Sequence, residues 1–333
     1  MIFPLALSSG LARYIIVNRL WPRKRIPMLV ILEPTLRCDL ACVGCGRLRE
    51  NKGARQQMLT EDECIEAVDK TRAPVTCISG GEPLLHPEIS SIVNQIIRRK
   101  RFLYFATNGL SLESFLSKVK PSPYLNFVIH FDGLAETHDK MVGRDGAFDL
   151  AVEAVKAAKR DGFQVYTNTT FYRDTDLGEV ERLFAFLTEL DVNGIMLVGG
   201  TAFNGEQDDV YLSKQEASVV FRHFYELRHR FKYYSNPLYL KFLTGERKFQ
   251  CTPWACPTLS PQGWRQPCYV LTDGYCESHS ELVAKTDWNK YGIGKDPRCY
   301  DCMIHNAFET SATLQVGRSP RVLWELARWN LSR

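Results

Sequence analysis

Apolar residues recur along the chain with two distinct periods. Short unbroken apolar runs alternate with segments whose apolar side chains fall three or four positions apart, the spacing of one helix face. Met28–Glu33 is the first run and reads as a buried strand. Pro74–Ser79, Arg101–Ala106, Asn126–Phe131, Phe163–Thr170 and Gly194–Val198 read as further strands. Helical patterns lie between them. Thr60-x-x-Glu63 opens one that runs to Thr71, and Ile89, Ile92, Val93, Ile96 and Ile97 mark a second within Pro87–Lys100. Leu110–Lys120 forms a third, and Phe148, Ala151, Val152 and Val155 line a fourth, with Gly162 beyond its end. Asp176-x-x-Glu179 and Ser213-x-x-Glu216 open two more with capping spacing. Six strand-then-helix units predict an α/β fold with parallel pairing and right-handed crossovers. The expected product is a partial (βα)6 barrel whose active face is built from the loops after the strands.

Near Asn236 the pattern fails. Residues 236–310 are rich in Pro, Gly, Trp, Tyr and Cys, a composition that calls for a metal staple rather than a large core. Pro320–Leu331 is helical again. The chain thus divides into an N-terminal segment (1–27), a barrel (28–235), a small Cys-rich domain (236–310) and a C-terminal helix (311–333). Phe3, Leu7, Leu11, Tyr14 and Ile15 recur at helical intervals beside Arg23-Lys24-Arg25. Such a helix fits two places, an anionic membrane surface or the bottom of the barrel.

Of 333 residues, 45% are hydrophobic and 24% charged, which is ordinary for a globular protein. The net charge is +4, and Arg13, Arg19, Arg23, Lys24 and Arg25 all precede the first acidic residue, Glu33. The body is therefore near neutral, which disfavours nucleic acid as a partner. The pattern shows neither a cleavable secretory signal nor an apolar run long enough to span a membrane. It points to the cytoplasm, with the inner membrane face as the alternative through residues 1–25. Eleven cysteines, an odd number, in a reducing compartment are better read as metal ligands than as disulfides.

Cys38-x-x-x-Cys42-x-x-Cys45 follows the first strand directly. Three thiolates on one loop hold three irons of a four-iron cluster and leave the fourth open to a ligand. A structural zinc site is the alternative, but it needs a fourth protein ligand. Gly80-Gly81-Glu82-Pro83 follows the second strand at the same end of the sheet, and paired glycines let a ligand approach bare backbone.

Together these motifs resemble the radical S-adenosylmethionine (SAM) superfamily. The resemblance implies that Cys38, Cys42 and Cys45 ligate a 4Fe-4S cluster and that SAM chelates its open iron. It also implies that Gly80, Gly81, Glu82 and Pro83 hold the methionine end, and that a flavodoxin- or ferredoxin-type donor supplies the electron. Asn108, His130, Asp132 and Asn168 end neighbouring strands and are the expected polar contacts, His130 and Asp132 toward the ribose. Gly44 departs from the family, which has an aromatic residue there, near adenine.

Cys251 is followed after eleven residues by Gly263-x4-Cys268, then by Cys299-x-x-Cys302. Four thiolates close a coordination sphere, with zinc again an alternative. The spacing resembles the SPASM and twitch domains of radical SAM enzymes, which implies a second, auxiliary 4Fe-4S cluster. Cys64 and Cys77 read as core thiols, and Cys256 and Cys276 have no evident partners. Stretches such as Leu32-Glu33-Pro34, Cys251-Thr252-Pro253-Trp254 and Cys299-Tyr300-Asp301-Cys302 look like the adenosyl-hopene transferases of hopanoid biosynthesis. That likeness implies adenosyl addition to an apolar, terpenoid substrate. Two positions depart from it: Ala106 stands where the family carries a hydrogen-donating cysteine, and Asn306 replaces a further cysteine. Hydrogen abstraction is therefore an equal reading. A twitch-type dehydrogenase or a peptide-modifying enzyme would carry the same motifs, and a zinc-binding scaffold would use both cysteine sets structurally.

Overall fold

The computed structural model describes residues 5–20, 25–50, 53, 56–206, 208–315 and 319–331. Six parallel strands form as expected: β1 (Leu29–Leu32), β2 (Val75–Ile78), β3 (Phe102–Thr107), β4 (Leu125–His130), β5 (Gln164–Phe171) and β6 (Gly194–Gly199). They pair in sequence order, with Leu32 opposite Ile78, Cys77 opposite Tyr104, Ala106 opposite Val128 and His130 opposite Asn168. This register brings every strand's C-terminal end to one rim of a partial (βα)6 barrel. Outward side chains such as Val30, Leu32, Ile78, Leu103, Phe105 and Phe127 pack beneath the helices. Inward ones such as Leu29, Ile31, Val75, Cys77 and Phe102 form a separate apolar cluster inside.

The helices start where their caps place them. Thr60 Oγ1 accepts from the Glu63 N–H while Glu63 accepts from the Thr60 N–H, and Ser213 and Glu216 form the same reciprocal pair. Asp176 accepts from the N–H groups of Gly178 and Glu179. The helix Ala135–Val142 carries no clear apolar stripe in the sequence, yet it is present and buries His138 and Val142.

Residues 236–310 do more than hang from the barrel. Strand β7 (Thr258–Ser260) pairs parallel to β1, and an antiparallel hairpin of β8 (Gly263–Pro267) and β9 (Thr272–Cys276) extends one nine-stranded sheet. The strands are short, and β8 buries Arg265, so the alternation that marks a strand is absent from the sequence.

The N-terminal helix Leu5–Leu20 takes the second of its two expected places. Leu7 is buried among Leu29, Val75 and Phe102 at the barrel bottom, and Ile15 packs with Met28 and Ala255. Tyr14 Oη donates to the Pro27 carbonyl at 2.8 Å. Phe3 and the Arg23-Lys24 pair lie outside the described residues. Among the described residues, no helix is long and apolar enough to cross a membrane. Leu7→Ala should destabilise the chain by about 2–5 kcal/mol, read from the urea midpoint. A helix used only for membrane contact would leave that midpoint unmoved.

Candidate active site

The cysteine loop is fixed from three sides. Leu40 packs against Val142 and Ala147, with Leu110 alongside. The N–H groups of Ala41 and Val43 donate to the carbonyls of Val142 and Met141 at 3.1 and 2.8 Å. Asn108 at the end of β3 donates to Asp39 at 2.7 Å. Below the loop, Gly81 N–H donates to Thr35 O at 3.0 Å and Glu82 N–H to Arg37 O at 2.6 Å. A Cβ on Gly81 would fall 1.9 Å from the Arg37 oxygen, and one on Gly80, where φ is +117°, 2.6 Å from that of Thr35. The glycine pair is therefore taken up by the chain's own backbone. It docks the turn after β2 onto the cysteine loop instead of baring an edge, which corrects the sequence-based reason for these glycines.

Cys38, Cys42 and Cys45 lie within electrostatic range of one another. Burial, then Glu82, Asp39 and Cys45, push the Cys38 thiol up to about 12 despite a Leu40 amide that lowers it. Burial, Cys45, Asp132 and Cys38 raise Cys42 likewise. The loop thus sits over both Glu82 and Asp132. Glu82 is buried and accepts from Thr107 Oγ1, Asn108 N–H and Leu84 N–H at 2.8, 2.8 and 3.0 Å. Burial still outweighs those bonds and raises its carboxyl to about 7. At the ends of β4 and β5, His130 Nε2 meets Asp132 at 2.7 Å and its Nδ1 meets Asn168 at 3.0 Å. Burial opposes protonation of His130, but Asp132 and Asn168 hold it above its ordinary value. Burial and the neighbouring His130 lower His138 to about 4.

One site residue was invisible in the sequence. Tyr172, in the loop after β5, lays its ring against Gly44, where a Cβ would come 2.3 Å from Cε1 and Oη. Tyr211 Oη donates to the Gly44 carbonyl at 3.2 Å. The ring missing at residue 44 is supplied from another strand end. Ala106 lies on the inward face of β3, two residues from Tyr104, whose hydroxyl meets that of Tyr234 at 2.7 Å.

The second cysteine set also converges. Burial raises the Cys251 thiol, and Cys302, Cys268, Cys256 and Cys299 add to the rise in that order. Cys256 thereby gains the neighbours that its sequence did not suggest. Cys64 and Cys77 are buried, as core thiols should be. Among the described residues, no three His, Cys, Asp or Glu side chains are drawn together at single-ion spacing.

The comparisons divide the chain in two. Residues 32–187 match the Radical SAM superfamily, and residues 195–326 match a domain described as Domain of unknown function (DUF3463). The AdoMet-dependent heme synthase of Methanosarcina barkeri is 28% identical over 61% of this chain and 59% of its own length. The mycofactocin maturase MftC of Mycolicibacterium smegmatis is 29% identical over 41% of this chain and 36% of its own. The crystal structure of Streptococcus suis SuiB bound to S-adenosylmethionine superposes with a TM-score of 0.61 at 14% identity, over 76% of this chain and 63% of SuiB. The chain thus spans about three-fifths of the length of that heme synthase and of SuiB. It carries a radical SAM domain followed by a C-terminal domain. The radical SAM domain implies a 4Fe-4S cluster and SAM, and the donor chemistry fits: three thiols share one braced loop above a buried carboxylate. The likeness to adenosyl-hopene transferases rests on the sequence stretches alone.

Glu82 supplies a pH test. Its folded pKa lies above the unfolded value of about 4.5, so its stabilising contribution is full below that value. The contribution is lost as pH rises through about 7. Glu82→Gln should remove about 3 kcal/mol of that decline, read from urea midpoints across the same window. An unchanged decline would show that Glu82 is not its source.

Proposed function

We propose that the protein is a radical SAM enzyme acting on an apolar substrate held inside the barrel. The observation that carries this reading is the braced loop of Cys38, Cys42 and Cys45 above Glu82 and Asp132. A 4Fe-4S cluster held there by Cys38, Cys42 and Cys45 would supply the electron for reductive cleavage of a bound SAM. In this reading the Gly80–Pro83 turn seats the methionine end beside Asn108. His130, Asp132 and Asn168 form one hydrogen-bonded row that orients the ribose, and Tyr172 flanks the adenine from beside Gly44. Cys251, Cys268, Cys299 and Cys302 hold an auxiliary 4Fe-4S cluster in a domain spanning 236–310, and a flavodoxin or ferredoxin delivers electrons.

The apolar substrate draws support from the lower lining, where Leu29, Ile31, Val75, Cys77 and Phe102 cluster, although Tyr104, Asn126, Tyr166 and Asn168 face the same interior. A terpenoid or hopanoid-like molecule fits that lining and the sequence stretches described above. The Ala106 methyl holds no labile hydrogen, so a substrate radical formed by adenosyl addition must be quenched elsewhere, or the reaction proceeds by hydrogen abstraction. A peptide or tetrapyrrole substrate is the second reading, favoured by the relatives, among them a maturase and a heme synthase.

Oxygen-free purification should give about eight irons per chain for two clusters. Stoichiometric zinc without iron would overturn the enzyme reading. Cys42→Ala should abolish reductive SAM cleavage while the second set keeps its iron. With deuterated terpenoid substrates, label in 5′-deoxyadenosine marks abstraction, and an adenosylated product without it marks addition. Turnover that survives Cys42→Ala defeats the assignment.

A further inference from the structure

A chain of four charges, three buried and Glu50 half-buried, joins the two cysteine sets. Glu33, at the end of β1, is fully buried, and its Oε1 meets Arg47 Nε at 2.6 Å. Arg47 lies two residues beyond Cys45, on the one-turn helix Gly46–Glu50, and its Nη1 meets Glu50 Oε2 at 2.9 Å. Glu50 then receives both guanidinium nitrogens of Arg265 at 2.9 Å, with Thr272 Oγ1 at 2.6 Å and Asn204 Nδ2 at 3.1 Å. Burial would raise the Glu50 carboxyl, but the Arg265 fork and Thr272 bring it down to about 2. Arg47 also lies against two adjoining rings: its guanidinium is 4.4 Å from the Tyr269 ring centre and 4.8 Å from that of Phe203, and the rings meet edge to face. Arg47 Nη2 donates to the Tyr269 carbonyl at 3.2 Å. Tyr269 is the residue after Cys268.

A planar guanidinium lying against two adjoining rings, hydrogen-bonded through Nη1 and Nη2 and ion-paired through Nε, is held in one orientation, unlike a lysine ammonium. Buried ion pairs seldom add much net stability, so their gain is better sought in what they hold in place. Resting on the reading of Cys38, Cys42 and Cys45 as cluster ligands, we propose that the Glu33–Arg47–Glu50–Arg265 chain is a positioning device. It locks the first cysteine loop to the second cysteine set and sets the reduction potential of the group on that loop. None of its members is a catalytic residue.

The test uses the full chain purified without oxygen, with iron content and electron paramagnetic resonance (EPR) monitored through a redox titration. Removing a negative charge eases reduction and removing a positive one hinders it. Glu50→Gln should therefore move the first cluster's midpoint upward and Arg265→Gln should move it downward, both at unchanged iron. A merely structural role would shift both variants alike or neither, and that result overturns the proposal. Arg47→Lys keeps the charge and loses the fork. It should leave the midpoint near the parent value while altering the change in EPR spectrum on adding SAM, and it carries the test if the other variants fail to load iron. An unaltered SAM response in Arg47→Lys overturns the positioning role. A parent chain with no reducible iron–sulfur signal defeats the enzyme reading together with this one; a parent with the signal but inert variants defeats this one alone.

Discussion

The site depends on the close approach of two backbone segments. Gly80–Glu82, leaving β2, donates hydrogen bonds to the carbonyls of Thr35–Arg37, leading into the cysteine loop, across a gap too small for a side chain. A Cβ at residue 81 would lie inside the Arg37 carbonyl contact, so glycine is required there by space, and at residue 80 by its φ as well. This contact sets the height of the cysteine loop above the sheet. Everything that bears on Cys38 and Cys42, from Glu82 below to Asp132 beside, takes its distance from that height.

Two layers of polar organisation are built on that contact. The rim carries residues that bond each other along the strand ends: Glu82 to Thr107, Asn108 to Asp39, His130 to Asp132 and Asn168. The interior mixes apolar side chains such as Leu29, Ile31 and Phe102 with the tyrosines Tyr104, Tyr166 and Tyr234, and the charged chain from Glu33 to Arg265 runs beside them. The C-terminal residues close that interior by adding β7 beside β1, so the second cysteine set abuts the barrel and shares its wall.

Much of this was legible in the sequence, for physical reasons that differ by element. The strands other than β5 were readable because they are largely buried on both faces and rich in apolar residues, whereas β5 mixes in Thr167, Asn168, Thr169 and Thr170. The helix starts were readable where Thr60, Asp176 and Ser213 cap them. The cysteine loop was readable from its spacing, and the glycine turn because close backbone approach restricts residue choice to glycine. The hairpin of β8 and β9 was not, since Arg265 sits where an apolar residue would have signalled a strand and is tolerated only through Glu50, 215 residues away in sequence. Tyr172 was missed for a related reason: nothing local marks a tyrosine after a strand as the filler of a gap beside residue 44. The N-terminal helix carried a correct pattern of apolar spacing that fits either a lipid or a protein surface, and its contacts through Leu7, Tyr14 and Ile15 separate the two.

The contact of Tyr172 with Gly44 links two distant parts of the chain. A side chain added at residue 44 would meet the tip of the Tyr172 ring, so that ring would have to move aside. What residue 44 leaves open, residue 172 fills. The ring now hangs from the end of a sheet strand, and its position follows β5 instead of the loop that carries the cysteines.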